Sequence, residues 1–213
     1  MLIVGLTGGI ASGKSTVGRM FQECGIPLIC ADELARKAVE PGSDGLGEIR
    51  RVFGKGVLDA QGGLDRAAMA RIVFQDPGAR KLLESIVHPV VSKEKERILK
   101  NLECEGHEVV IVDVPLLYES SWEKGFDLII VAYSPKAVQE QRLVVRDNMS
   151  KEEALARLDA QMDIEEKRRL ADRVIDNTGD PAQTRRQVEG LLNELKTLAE
   201  RKKSAEKMRS GLG

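Results

Sequence analysis

Gly8-Gly9-Ile10-Ala11-Ser12-Gly13-Lys14-Ser15-Thr16 decides the fold. It fits the pattern GxxxxGK[ST] and stands between an apolar, strand-like run at 2–6 and a helix-like segment, which is the setting the pattern needs. Glycine is required because the backbone must curl around a phosphate with its N–H groups turned inward. The helix that follows adds the positive end of its dipole. Lys14 then reaches the β- and γ-phosphates of ATP, Ser15 supplies a hydroxyl to Mg²⁺, and Thr16 supports a neighbouring phosphate. Gly8, Ala11, Ser12 and Gly13 complete the expected cradle. Strand, spacing, Lys-Ser pair and helix all argue against a glycine-rich turn that holds no ligand.

Outward from the loop, short apolar, β-branched runs recur at 27–30, 109–113, 127–132 and 173–176, separated by long helix-like segments. That is the pattern of a mostly parallel sheet covered by helices, so the fold class is α/β. A parallel crossover needs about a dozen residues, yet nearly eighty separate the second run from the third. The surplus, 32–108, is expected to be a helical substrate-binding insertion, broken at Pro41-Gly42, Gly54, Gly56, Gly62-Gly63 and Pro77-Gly78. Polar, arginine-rich helices over 135–170 show weak apolar periodicity and read as a partly exposed, mobile lid. Segments 1–31, 109–134 and 171–200 form the nucleotide-binding core. Val188, Leu191, Leu192, Leu195 and Leu198 fall on one packing face, and the charged tail 201–213 is expected to fray. The whole reads as one compact P-loop kinase fold, a parallel five-stranded sheet flanked by helices with an insertion and a lid.

Composition bounds the partners. With 33 basic and 34 acidic residues and a net charge of −1, the chain has no global basic field for nucleic acid or an anionic membrane. Cys24, Cys30 and Cys104 lack the paired spacing of a zinc site or a disulfide framework, so reduced thiols in the cytoplasm are expected. The apolar start has no basic lead-in, and no run approaches the roughly 20 apolar residues of a membrane span. The chain is read as neither secreted nor membrane-embedded, and as a monomer or weak homo-oligomer.

In open α/β sheets, residues just beyond the carboxyl ends of the strands converge. Asp32 and Asp113 are such residues. Two roles are open to Asp32: a base toward an attacking hydroxyl, or the N-cap of a helix over 33–39. Asp113 ends an apolar strand, as an acidic magnesium partner does, with a strand-terminating turn as the alternative. Gln139, Arg142 and Arg146 share one helix face, and Arg157 with Gln161 repeats the spacing in the next helix. These faces are expected to close over ATP, where arginines stabilise the charge of the moving phosphoryl group; solvated ion pairs with Asp147 or Glu153 are the plainer alternative. His88 before Pro89 reads more simply as a histidine closing a helix than as a ligand. Tyr118, Trp122 and Phe126 read as packing.

A regulatory GTPase is excluded by the lack of an NKxD segment, and the DxxG match Asp59-Ala60-Gln61-Gly62 lies in a polar loop. A motor or transport ATPase would be longer. The blocks Gly5-Leu6-Thr7-Gly8-Gly9-Ile10-Ala11-Ser12-Gly13-Lys14-Ser15, Ala31-Asp32 with Arg36, His88-Pro89, Asp113-Val114-Pro115-Leu116-Leu117-Tyr118-Glu119, Gln139-Glu140-Gln141-Arg142-Leu143 and Arg146-Asp147 together resemble the dephospho-CoA kinase family. Arg157, Gln161, Ala171-Asp172 and Val174-Ile175-Asp176-Asn177-Thr178-Gly179 extend the resemblance over about 1–180. It implies transfer of the γ-phosphate of ATP to the ribose 3′-hydroxyl of dephospho-CoA, the last step of coenzyme A synthesis. In that reading Asp32 is the base, with Lys14 and Arg142 also catalytic. Arg36, His88, Leu116, Leu117 and Glu119 line the acceptor side, Arg146 belongs to the lid, and Asn177 and Gly179 lie near adenine. The family often carries an aspartate where this chain has Cys30, so the resemblance extends to Asp32 alone and not to a pair of carboxylates. The other readings are a nucleoside monophosphate, shikimate or gluconate type kinase, and a nucleotide sensor that transfers nothing.

Overall fold

The computed structural model describes residues 1–210. Its strands are β1 (Leu2–Gly8), β2 (Leu28–Cys30), β3 (Val109–Asp113), β4 (Leu128–Tyr133) and β5 (Arg173–Asp176), in the spatial order β2-β3-β1-β4-β5. β1 pairs in parallel with β3 and β4, and β4 with β5. Every residue of β3 and β4 is buried, as continuous apolar runs in a sheet covered on both faces demand. The register sets Leu6 beside Asp113, Gly8 beside Ala132 and Tyr133 beside Asp176. The glycine loop therefore leaves the central strand at the carboxyl edge of the sheet, flanked by the ends of β3 and β4, where such folds hold ligands.

The chain divides into two compact units, where length and composition suggest one. The first comprises Met1–Ile29 and the chain from Leu102 onward; the second is Cys30–Asn101. In the first, Val17, Met20 and Phe21 of α1 (Lys14–Glu23) join Val4, Leu6, Ile111 and Ile130 of the sheet in one apolar cluster with Val188, Leu191 and Leu195 of α9 (Pro181–Ser210). Leu192 and Leu198 pack on its margin, so the face read from the sequence is the face that packs. Burying a residue such as Phe21, fully enclosed here, stabilises by about 1.5–3 kcal/mol. α9 continues through Ser210, past Arg201, where the sequence suggests fraying; residues 211–213 of that tail lie outside the described residues.

α6 (Lys136–Asp147), α7 (Lys151–Asp159) and α8 (Ile164–Leu170) complete the first unit. Despite their polar sequences they bury Gln139, Leu143, Ala154, Leu158, Ile164 and Lys167. α7 opens on a capping box between Ser150 and Glu153.

The second unit holds α2 (Ala31–Lys37), α3 (Asp44–Phe53), α4 (Arg66–Gln75) and most of α5 (Pro77–Cys104). Ser43 and Asp65 cap α3 and α4, accepting from Leu46 N–H and from Ala67 and Ala68 N–H. Pro77 opens α5 where its missing N–H costs nothing, and the helix runs on through Pro89. His88 therefore does not close a helix, contrary to the sequence reading.

Candidate active site

Gly13 precedes α1 with φ at +88°, a conformation that favours glycine. No side chain caps α1, and its first turn carries no acidic residue, so the helix presents bare N–H groups and an unopposed dipole. A Cβ on Gly13 would lie 1.8 Å from Asn177 Nδ2, and one on Gly8 would lie 2.5 Å from Ser12 Oγ and 2.7 Å from the Ala132 carbonyl. Those approaches explain why the loop has glycine at both positions. Ser12 N–H donates to the Gly9 carbonyl at 3.1 Å, closing the curl. Asn177 is fixed in turn: its Nδ2 donates to the Ser12 carbonyl at 3.0 Å and its Oδ1 accepts from Thr184 Oγ1 at 3.0 Å.

Lys14 pairs with the carboxylate of Asp113, which is 6% exposed at the end of β3. Arg142 turns its guanidinium inward from α6. Nη1 donates to the Ala11 carbonyl at 3.2 Å and to Ser134 Oγ at 2.9 Å, and Nη2 donates to the Asn177 carbonyl at 2.6 Å. Arg146, one turn on, is exposed and bonds to Asp147 at 2.6 and 2.8 Å, the ion pair its sequence allows. Arg142 thus belongs to the loop's scaffold, and Arg146 to its rim.

Among the cavities that meet this loop, two reach Gly13 and Thr16. One of about 260 Å³ is lined by Gly8 to Ala11, Gly13 to Thr16, Pro115, Arg146 and Gln161. The other, about 550 Å³, is lined by Ala11, Gly13, Thr16, Arg142, Asn177 and Gly179 among others. The structure therefore brings together the whole predicted cradle with Arg142, Arg146, Asn177 and Gly179, while Asp113 reaches it through Lys14.

Asp32, Arg36 and His88 lie in the second unit. Asp32 and Arg36 are exposed, one turn apart on α2, and His88 is half-buried within α5. Cys30 occupies the N-cap position of α2 without a side-chain bond, so Asp32 sits inside the first turn and is not its cap. Within the block after β3, Leu117 is wholly buried, its Cδ1 2.9 Å from where a Cβ on Gly5 would stand. Only Leu116 of that pair presents surface, at 37% exposure. Tyr118 packs beside Val131, Tyr133 and Ile164, as the sequence suggests. Burial, then the carboxylates of Asp172 and Glu123, pushes its phenol up to about 12, so it stays neutral at physiological pH.

Three contacts escape sequence reasoning. α7 ends at Asp159, so Gln161 does not share a helix with Arg157; freed from it, Gln161 Oε1 accepts from Ile10 N–H at 2.9 Å. Ser134 Oγ bridges the Ser12 and Asn177 carbonyls at 3.2 and 3.0 Å. Lys167, fully buried, forms an ion pair with Glu119 Oε1 at 2.8 Å. The spacing of Ile164 and Lys167, three apart and hence on one face, is the signal that Lys167 turns inward.

Among the described residues no group of three or more His, Cys, Asp and Glu side chains is placed to hold a metal ion. Ser15 and Asp113 offer a hydroxyl and a carboxylate, hard oxygen donors that suit Mg²⁺ bound mainly through phosphate and water. Among the described residues no helix is long and apolar enough to cross a membrane.

The family model for dephospho-CoA kinase matches residues 2–183. A dephospho-CoA kinase from Symbiobacterium thermophilum is 49% identical over 189 residues, covering 89% of this chain and 79% of that protein. Among solved structures, a protein from Thermus thermophilus is 39% identical with a TM-score of 0.80, over 91% of this chain and 97% of that one. The dephospho-CoA kinase from Campylobacter jejuni is 34% identical with a TM-score of 0.68, over 91% and 96%. These likenesses support the dephospho-CoA kinase reading over the other small-molecule kinases and over a nucleotide sensor. With its phosphate cradle built on a parallel sheet, the chain belongs to the dephospho-CoA kinase family.

Proposed function

We propose that the protein phosphorylates the ribose 3′-hydroxyl of dephospho-CoA with ATP, giving coenzyme A and ADP. The observation that carries this reading is the cradle itself, an uncapped helix start and a curled glycine loop with the Lys14–Asp113 pair beside them, in a chain of this family. The loop amides and the α1 dipole hold the β- and γ-phosphates, and Lys14 bridges them. The 550 Å³ cavity takes the nucleoside, with Asn177 and Gly179 on the adenine side. Ser15 and Asp113 would hold Mg²⁺, which when bound offsets phosphate charge. The 3′-oxygen attacks the γ-phosphorus, the bond to the β,γ-bridging oxygen breaks, and ADP leaves. Asp32 accepts the hydroxyl proton. Arg142 and Arg146 supply positive charge from the lid side, while Arg36, His88, Leu116 and Glu119 hold the acceptor. Three unpaired cysteines suit a cytoplasmic setting.

The test offers dephospho-CoA, AMP, adenosine, shikimate and gluconate separately with Mg-ATP and follows ADP release. Release that depends on dephospho-CoA is expected; release driven by another acceptor, or by none, would discard the acceptor.

A further inference from the structure

α8 reads as a solvated charged helix, Ile164-Glu165-Glu166-Lys167-Arg168-Arg169-Leu170, yet Lys167 is fully buried. Lysine is almost never enclosed unless paired. Its ammonium pairs with the Glu119 carboxylate, Oε1 lying at 2.8 Å, and donates to the Pro115 carbonyl at 3.3 Å and the Gly8 carbonyl at 3.5 Å. Gly8 is the first glycine of the cradle. Pro115 lines the phosphate cavity two residues after Asp113, and its carbonyl also accepts from Thr7 Oγ1 at 3.1 Å. The counter-ion is itself anchored, because Glu119 Oε1 accepts from Met162 N–H at 3.1 Å just ahead of α8.

From this arrangement we infer that Lys167 is a positioning residue for phosphoryl transfer, tying the start of the cradle and the segment after Asp113 to α8, with Glu119, whose side chain is 20% exposed, as its counter-ion. Balancing charge would require only the ion pair. The two carbonyls, one on each segment beside the phosphates, link Lys167 to the geometry of the cradle. The inference rests on the reading of that cradle as a phosphoryl-transfer site.

Lys167→Met alone strands the Glu119 carboxylate and is expected to lower stability whatever the role. The deciding protein is the double variant Lys167→Met with Glu119→Leu, which removes both charges together, so that no carboxylate is left without its counter-ion beside the apolar side chain. Thermal melting, kcat at saturating dephospho-CoA, KM for each substrate and, by calorimetry without acceptor, affinity for Mg-ATP are measured on wild type and double variant. The expected result is recovery of most of the melting temperature lost by the single variant, with kcat still lower by about tenfold to a hundredfold and ATP bound more weakly. Loss of an acceptor contact at Glu119 would instead raise KM for dephospho-CoA and leave ATP affinity alone. A folded double variant with kcat within about twofold of wild type overturns the inference. Should wild type fail to phosphorylate dephospho-CoA, the acceptor reading falls, and ATP affinity decides for Lys167: equal affinities overturn it, weaker binding by the variant upholds it.

Discussion

Asp32 stands in the first turn of α2, two residues inside the N-cap position held by Cys30. Because it caps nothing, its side chain is not committed to the helix and is open to the proposed proton-accepting role. Asp32→Asn keeps size and polarity but cannot take a proton. The variant is expected to lose about 10²- to 10⁴-fold in kcat, with Mg-ATP affinity little changed. Single-turnover rates beside calorimetric ATP binding check this; a near-wild-type rate would return Asp32 to a surface position. Lys14 and Asp113 show how much one motif tells and omits. Their expected proximity to phosphate follows from GxxxxGK[ST] and from a strand ending in aspartate, but their ion pair is a tertiary contact between the start of α1 and the end of β3.

At the scale of elements, α6 links scaffold and chemistry. Arg142 donates to three groups on three segments: the Ala11 carbonyl in the loop, Ser134 after β4 and the Asn177 carbonyl after β5. Charge-assisted bonds of this kind contribute about 1.5–3 kcal/mol each when sheltered. Arg142→Ala should therefore lower the melting temperature of the ligand-free protein and also reduce kcat/KM for ATP, by about 10²-fold. An unchanged melting temperature would contradict the scaffold role. The sequence makes the strands and the cradle legible, since both follow from local rules: continuous β-branched runs for buried parallel strands, glycine for a curled loop. It is less informative about the helices around them. Lys167 hides among four charged neighbours, Glu165, Glu166, Arg168 and Arg169, and turns inward because Glu119 and two carbonyls await it. By spacing alone Gln161 extends the face of Arg157, but α7 stops two residues earlier. His88 and Pro89 look like a helix end, yet α5 absorbs the proline.

For the whole molecule, a net charge of −1 supplies no general attraction for a polyanionic substrate. Recognition must then come from local groups, and the first unit concentrates them around the loop: bare α1 amides, Lys14, Arg142 and Arg146. The second unit, Cys30–Asn101, contributes Asp32, Arg36 and His88, the positions read as serving the acceptor. On this account the donor phosphates are held by groups of the first unit. The most direct test is the position of the new phosphate. Dephospho-CoA and Mg-ATP are incubated with the protein, and the product is characterised by mass and by ³¹P–¹H correlation. The account predicts a product heavier by one phosphoryl group, with the new phosphorus coupled to the ribose H3′, and none with Lys14→Ala. A phosphate at another position, or equal turnover by the Lys14 variant, would contradict it.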